Sequence, residues 1–197
     1  MRIQVLLAGA AMALMASAAA VSASATELVT NGGFETGDFS GWTNFGNTGF
    51  TGVQTGNFDG VNPTEGGHQS YFGPIGSTGG ITQTIATVGG NHYTFSFDLF
   101  GFEGGNFYSA AFDGVTLLSG SGGTGGYGSH VFDVVASGDS TAVTFTFQHN
   151  PSFYLLDNVS VSGGVPEPAS WALMLSGFLG AGGAIRASRR RQAAVAA

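Results

Sequence analysis

Apolar and polar residues alternate in short stretches along the chain, and glycine, asparagine, serine and aspartate separate the stretches. A period of two marks strands that bury one face. The clearest case is Tyr93-Thr94-Phe95-Ser96-Phe97-Asp98-Leu99, with Tyr93, Phe95, Phe97 and Leu99 on one side. Val143–Gln148 repeats it, and further strands are expected at 27–30, 48–53, 69–73, 80–87, 107–113, 129–135 and 153–161. Short strands divided by turn signals predict an all-β fold, a jelly-roll sandwich of two antiparallel sheets. Two gaps in the pattern, 54–68 and 119–128, are rich in glycine and read as long loops.

The alternation stops at both ends. Residues 1–25 open on Met1-Arg2, continue as an apolar run and finish in Ala23-Ser24-Ala25, the pattern of a cleaved signal peptide. Ala169 to Ile185 is apolar or small throughout, and Arg186, Arg189, Arg190 and Arg191 follow. Glycines at 177, 180, 182 and 183 and the lack of a polar face argue against a buried helix. The length and the basic flank suit an apolar membrane helix with a cytoplasmic end. One domain, 26–164, remains between the ends, with Gly163-Gly164-Val165-Pro166 as the linker to a C-terminal segment 165–191 and a tail 192–197.

Charge sharpens the picture. Eleven of the chain's twelve acids and none of its five basic residues lie in 26–164, so the domain carries a formal charge of −11. Nucleic acid is therefore an unsuitable partner. Cysteine is absent, so an exported domain must hold together through its core, or through a bound cation. Sixteen of the seventeen phenylalanines fall between 34 and 153 and supply that core.

In Phe153-Tyr154-Leu155-Leu156-Asp157-Asn158-Val159-Ser160-Val161, period two sets Asp157 on the face of Phe153, Leu155, Val159 and Val161. A carboxylate there needs a partner, and the domain offers no Lys or Arg. A metal ion, backbone N–H groups or a histidine remain, or else a wet strand end beside a loop. Calcium, which takes oxygen ligands, suits an acidic exported domain.

The opening Leu28-Val29-Thr30-Asn31-Gly32-Gly33-Phe34-Glu35-Thr36-Gly37, with Phe39-Ser40-Gly41-Trp42, resembles carbohydrate-binding modules with a galactose-binding-like jelly roll. Glu65–Phe72, Ile81–Ile85, Gly89–Phe97 and the closing Leu156–Val161 continue the likeness in order, over residues 27–161. The resemblance implies a structural calcium held by Glu35 of the opening motif and Asp157 of the last strand. It also implies a polysaccharide partner. Rings beside the glycine-rich loops, Phe107, Tyr108 and Tyr127, are the expected ligand-binding residues, because a sugar's C–H face packs on an aromatic ring. Trp42, Phe45 and Phe58 are further aromatic candidates, with Trp42 read as a core anchor.

The C-terminal segment Val165-Pro166-Glu167-Pro168, Trp171 and Arg189-Arg190-Arg191 resembles the PEP-CTERM sorting signal in its PEP-x-x-WA variant. That likeness implies signal peptidase and an exosortase as partners during export, and transient anchoring in the inner membrane of a Gram-negative bacterium. Residence at the cell surface or in the extracellular, biofilm-type matrix follows. No chemistry-bearing pattern points to an enzyme. His68, His92, His130 and His149 stand apart, no G-x-S-x-G elbow occurs, and no glycine-rich run leads into Lys and a helix. The expectation is a non-catalytic exopolysaccharide-binding module; the alternative is a structural matrix or adhesin protein without a sugar site.

Overall fold

The computed structural model describes residues 25–104, 106–163, 174, 176–183 and 186. Two antiparallel sheets face each other. One contains β3 (Thr51–Thr55), β4 (His68–Phe72), β11 (Tyr154–Gly163), β6 (His92–Gly101) and β9 (Gly128–Val135) in that order. The two-residue β1 (Thr26–Glu27) takes the half of the β11 edge that β4 leaves open. The other sheet runs β2 (Thr43–Gly46), β5 (Gly79–Ala86), β10 (Ser140–Gln148), β7 (Phe107–Phe112) and β8 (Val115–Gly120).

The alternating positions do what period two requires. Phe72, Phe95, Phe97, Tyr154 and Leu156 of the first sheet meet Ile81, Phe112, Val143, Phe145 and Phe147 of the second, all buried. Phe72 and Phe147 stack across the sandwich at 4.3 Å, and Phe97 meets Phe145 edge-on at 4.9 Å. Trp42 closes one end of this core, 7 % exposed, with its indole N–H donating to the Asn31 carbonyl. Gln83, also buried, is held by the Thr30 N–H and returns a bond to the Thr30 carbonyl.

Two strands, β2 and β8, escape the sequence pattern. Thr43-Asn44-Phe45-Gly46 is short and polar. Leu117-Leu118 breaks the alternation of β8, where the register with β7 shifts between Ala110 and Ala111. Among the described tail residues, Met174, 176–183 and Arg186 are helical, and no described helix is long and apolar enough to cross a membrane. Residues 1–24 of the expected signal peptide 1–25, and the expected sorting residues 165–168, 171 and 189–191, lie outside the described residues.

Asp157 requires a correction. It is buried, but not against the sandwich core. A bulge between Asp157 and Ser160 inserts a residue into β11, and Asn158 takes a positive φ of 52°. Tyr154 and Leu156 face inward before the bulge, Val159 and Val161 after it, so Leu155 and Asp157 face outward. Uninterrupted period two across 153–161 hides this switch. Gly32 packs on the bulge: a Cβ there would lie 1.8 Å from the Val159 carbonyl oxygen, which only glycine avoids.

Candidate functional site

The outer face of the first sheet carries a second aromatic cluster, separate from the core. Phe58, Tyr71, Phe100, Phe102, Tyr127 and Phe153 are all half-buried. Phe58 is the hub at one end, 5.1 Å from Phe153, 5.2 Å from Tyr71 and 6.1 Å from Phe102. Phe102 touches Phe100 at 4.7 Å, and Phe100 touches Tyr127 at 5.7 Å. Half-exposed rings on one sheet face retain flat apolar surface that water wets poorly.

Loop 56–67 folds over this face and is tied down from beneath. The buried Gln69 donates to the Gly56 and Val61 carbonyls and accepts from the Tyr127 hydroxyl at 2.7 Å. The tip of the loop is a two-residue hairpin. Phe58 and Val61 exchange both backbone hydrogen bonds, and Asp59 and Gly60 both take positive φ, 47° and 91°. Asp-Gly suits that turn because both residues tolerate left-handed backbone. The Asn57 side chain accepts from Gly60 N–H and donates to Asn62.

Between the hairpin and the turn before β11 lies an open cleft of about 420 Å³, lined by Gln54, Asn57, Phe58, Asp59, Ser152 and Phe153. Two ring faces with two amides, a carboxylate and a hydroxyl around them form a surface that can pack a sugar ring and bond its hydroxyls. Because Gln69 and Asp157 fix the loop from beneath, little ordering remains when a ligand arrives. A second cleft of similar size opens between the edge strands β8 and β9, where Val115, Leu117, Val134 and Val135 line it together with Asp113, Asp133, Ser137 and the buried Phe112. It exposes no comparable ring.

The two acids expected to share a calcium are both bound by the stretch 64–68, but at separate points. Asp157 Oδ2 accepts from the Thr64 N–H (2.7 Å), the Thr64 hydroxyl (3.1 Å) and the Glu65 N–H (3.1 Å), and Oδ1 from the Asn158 N–H (2.8 Å). Burial pushes its carboxyl above the usual range, and these donors pull it only part of the way back. Glu35 Oε1 accepts from the N–H groups of Gly67 and His68, both at 2.9 Å, and Oε2 lies 3.3 Å from the His68 ring. Desolvation raises the Glu35 carboxyl, but those bonds more than reverse it and leave it below the usual range.

Calcium needs oxygen ligands, whereas N–H groups face both carboxylates. Among the described residues no three acids or histidines gather into a metal-holding group. In this arrangement the residues do not fit the ion. Asp157 is satisfied by backbone donors, one of the options its sequence context left open.

The three expected ligand-binding rings are not brought together. Tyr108 packs on Tyr154 at 5.3 Å beside the core, and Phe107 pairs with Gln148 in the second sheet. Tyr127 alone joins the outer ring cluster. Burial, with Asp157 and Asp98 nearby, keeps its phenol firmly protonated. Asp98, next to Asp157 in the register, accepts from the Ser129 hydroxyl and from Asn158. Phe58 was an aromatic candidate on sequence grounds. Phe153 was not, because period two placed it in the core.

No family model matches the chain, and no curated protein matches it. Solved structures do. TmCBM61, solved in complex with beta-1,4-galactotriose, superposes with a TM-score of 0.57 at 17% identity, over 71% of this chain and 99% of that one. The CBM22-1 xylan-binding domain of Paenibacillus barcinonensis Xyn10C gives 0.51 at 16% identity, over 72% and 97%. The fold is that of the jelly-roll carbohydrate-binding modules. The same jelly roll matches part of a larger protein, the enzymatically active domain of bacteriophage CBA120 tailspike protein 4. There the TM-score is 0.53 at 18% identity, over 70% of this chain and 21% of that one. Identities this low speak for the fold alone.

Proposed function

We propose that this chain is a non-catalytic carbohydrate-binding module of an exported protein, and that it holds polysaccharide in the cleft at Phe58 and Phe153. The observation that carries the reading is the row of half-exposed rings beneath an anchored loop, bordered by Gln54, Asn57 and Asp59. The fold shared with galactotriose- and xylan-binding modules supports it.

The test is affinity electrophoresis against a panel of bacterial and plant polysaccharides. Phe58→Ala and Phe153→Ala should each weaken binding by about tenfold or more, since stacking on a ring contributes about 1–3 kcal/mol by analogy with base–aromatic contacts. Tyr108→Ala and Phe107→Ala should leave affinity unchanged. Binding that ignores Phe58 and Phe153 contradicts the site. Failure to bind any glycan favours the structural matrix or adhesin reading instead.

The ends of the chain complete the proposal. The signal-peptide pattern and the likeness of 165–191 to a PEP-CTERM signal support export, exosortase processing and delivery to the cell surface or matrix, where the cell's own exopolysaccharide is the nearest ligand. Intact mass of the exported protein should show a start near Thr26 and an end near Pro166–Pro168. Finding Arg189 to Arg191 still attached would contradict the sorting assignment.

A further inference from the structure

We infer that the Phe58–Phe153 cleft selects glycans bearing protonated amines over neutral and acidic ones, an inference that rests on the carbohydrate-binding reading above. The cleft has one acidic side chain in its lining, Asp59, together with the rings of Phe58 and Phe153. The Asp59-Gly60 hairpin fixes the Asp59 backbone beside the cleft, and the residue is exposed. A carboxylate next to aromatic faces is the chemistry that recognises an ammonium group: one supplies the counter-charge, the others a cation–π contact.

The rest of the domain acts in the same direction. Residues 26–164 contain eleven acids and no Lys or Arg, so no side-chain ammonium or guanidinium is available to bind the carboxylate of a uronic acid or a sulfate ester. The summed negative field repels acidic polysaccharides and concentrates cationic ones near the surface. Gln54 and Asn57 then bond hydroxyls that all sugars share, and Asp59 distinguishes the amine. The ligand class is therefore a deacetylated amino-sugar polymer.

The experiment compares three β-1,4-linked hexasaccharides of equal length, built from glucosamine, N-acetylglucosamine and glucose, by calorimetric titration of the exported protein. The glucosamine oligomer should bind about tenfold more tightly than the other two, the combined effect of an exposed ion pair and a cation–π contact. High salt should erase the difference. Asp59→Asn, which tolerates the same positive φ, should bring the affinity for the glucosamine oligomer down to that for the other two. Phe58→Ala should weaken all binding. Equal affinities for the three oligomers, no binding of the glucosamine oligomer, or a preference that survives Asp59→Asn overturns the inference. Where one of those results comes with a glycan that still binds in a Phe58-dependent way, the carbohydrate-binding reading stands. Loss of all glycan binding removes both.

Discussion

Replacing Asp157 with alanine should lower stability by about 3 kcal/mol or more and loosen loop 56–67. The side chain is fully buried and receives four hydrogen bonds, three of them from the backbone N–H groups of Thr64, Glu65 and Asn158. Alanine leaves those donors without an acceptor, at a cost of about 1–3 kcal/mol each where water does not reach them. Asp157→Asn keeps one acceptor oxygen and should lose less. Chemical denaturation measures both. A loss under about 1 kcal/mol for the alanine variant would mean that the loop is held elsewhere.

The two acids also respond to pH with opposite sign. Asp157 is raised in the folded state, so its stabilising contribution is fully present below its unfolded value and fades as pH rises through the folded one. Glu35 is lowered, so its contribution is present above its unfolded value and is lost as pH falls through the folded one. With both carboxylates supplied by N–H donors, calcium and chelator should give the same melting midpoint. A calcium-dependent rise, which linkage sets at about 2.7 kcal/mol for a hundredfold excess over Kd, would show that stretch 64–68 turns carbonyl oxygens towards an ion.

Phe145→Ala should cost about 3–5 kcal/mol, the usual range for emptying a buried aromatic position. The Phe145 ring is 1 % exposed and meets Trp42 at 6.2 Å, Phe95 at 5.9 Å and Phe97 at 4.9 Å. It joins both sheets to the indole that closes the core. Because no disulfide supports the chain, the core carries that loss alone. Phe58→Ala is the informative contrast. Its ring lies outside the core cluster, so it should affect ligand affinity far more than stability. Equal destabilisation by the two substitutions would mean that the outer rings are part of the fold's support.

Residues that alternate cleanly gave away the fold. Phe95, Phe97, Phe145 and Phe147 sit on the inner faces because period two leaves them no other place. The strands without that alternation, Thr43–Gly46 and Val115–Gly120, could not be read. The last strand misled for a definite reason. One extra residue at the Asp157–Ser160 bulge moves the side chains on one side of it to the opposite face, and nothing in Leu155-Leu156-Asp157-Asn158-Val159 announces it. The burial of Asp157 was legible, but the surface that buries it was not.

The candidate cleft was legible only in fragments. Asp59-Gly60 carries a hairpin signal, and Phe58 beside it is a ring in a polar loop. Gln54 on β3 and Ser152 and Phe153 before β11 come from distant segments, and the β3–β4 and β4–β11 pairings bring them together. Tyr108 looks like a loop ring because it flanks a glycine-containing stretch, Gly101–Gly105. Its strand turns it onto Tyr154 instead.

The measurement that tests the central claim most directly is a hydrogen-exchange footprint of the exported protein with and without saturating polysaccharide. Bound glycan should slow exchange at the hairpin amides 57–61 and at Ser152–Phe153, which border the cleft. The second sheet and the β8–β9 groove should not change. Protection confined to that groove or to the β5–β10 face, or no protection with a glycan that binds, would contradict the account.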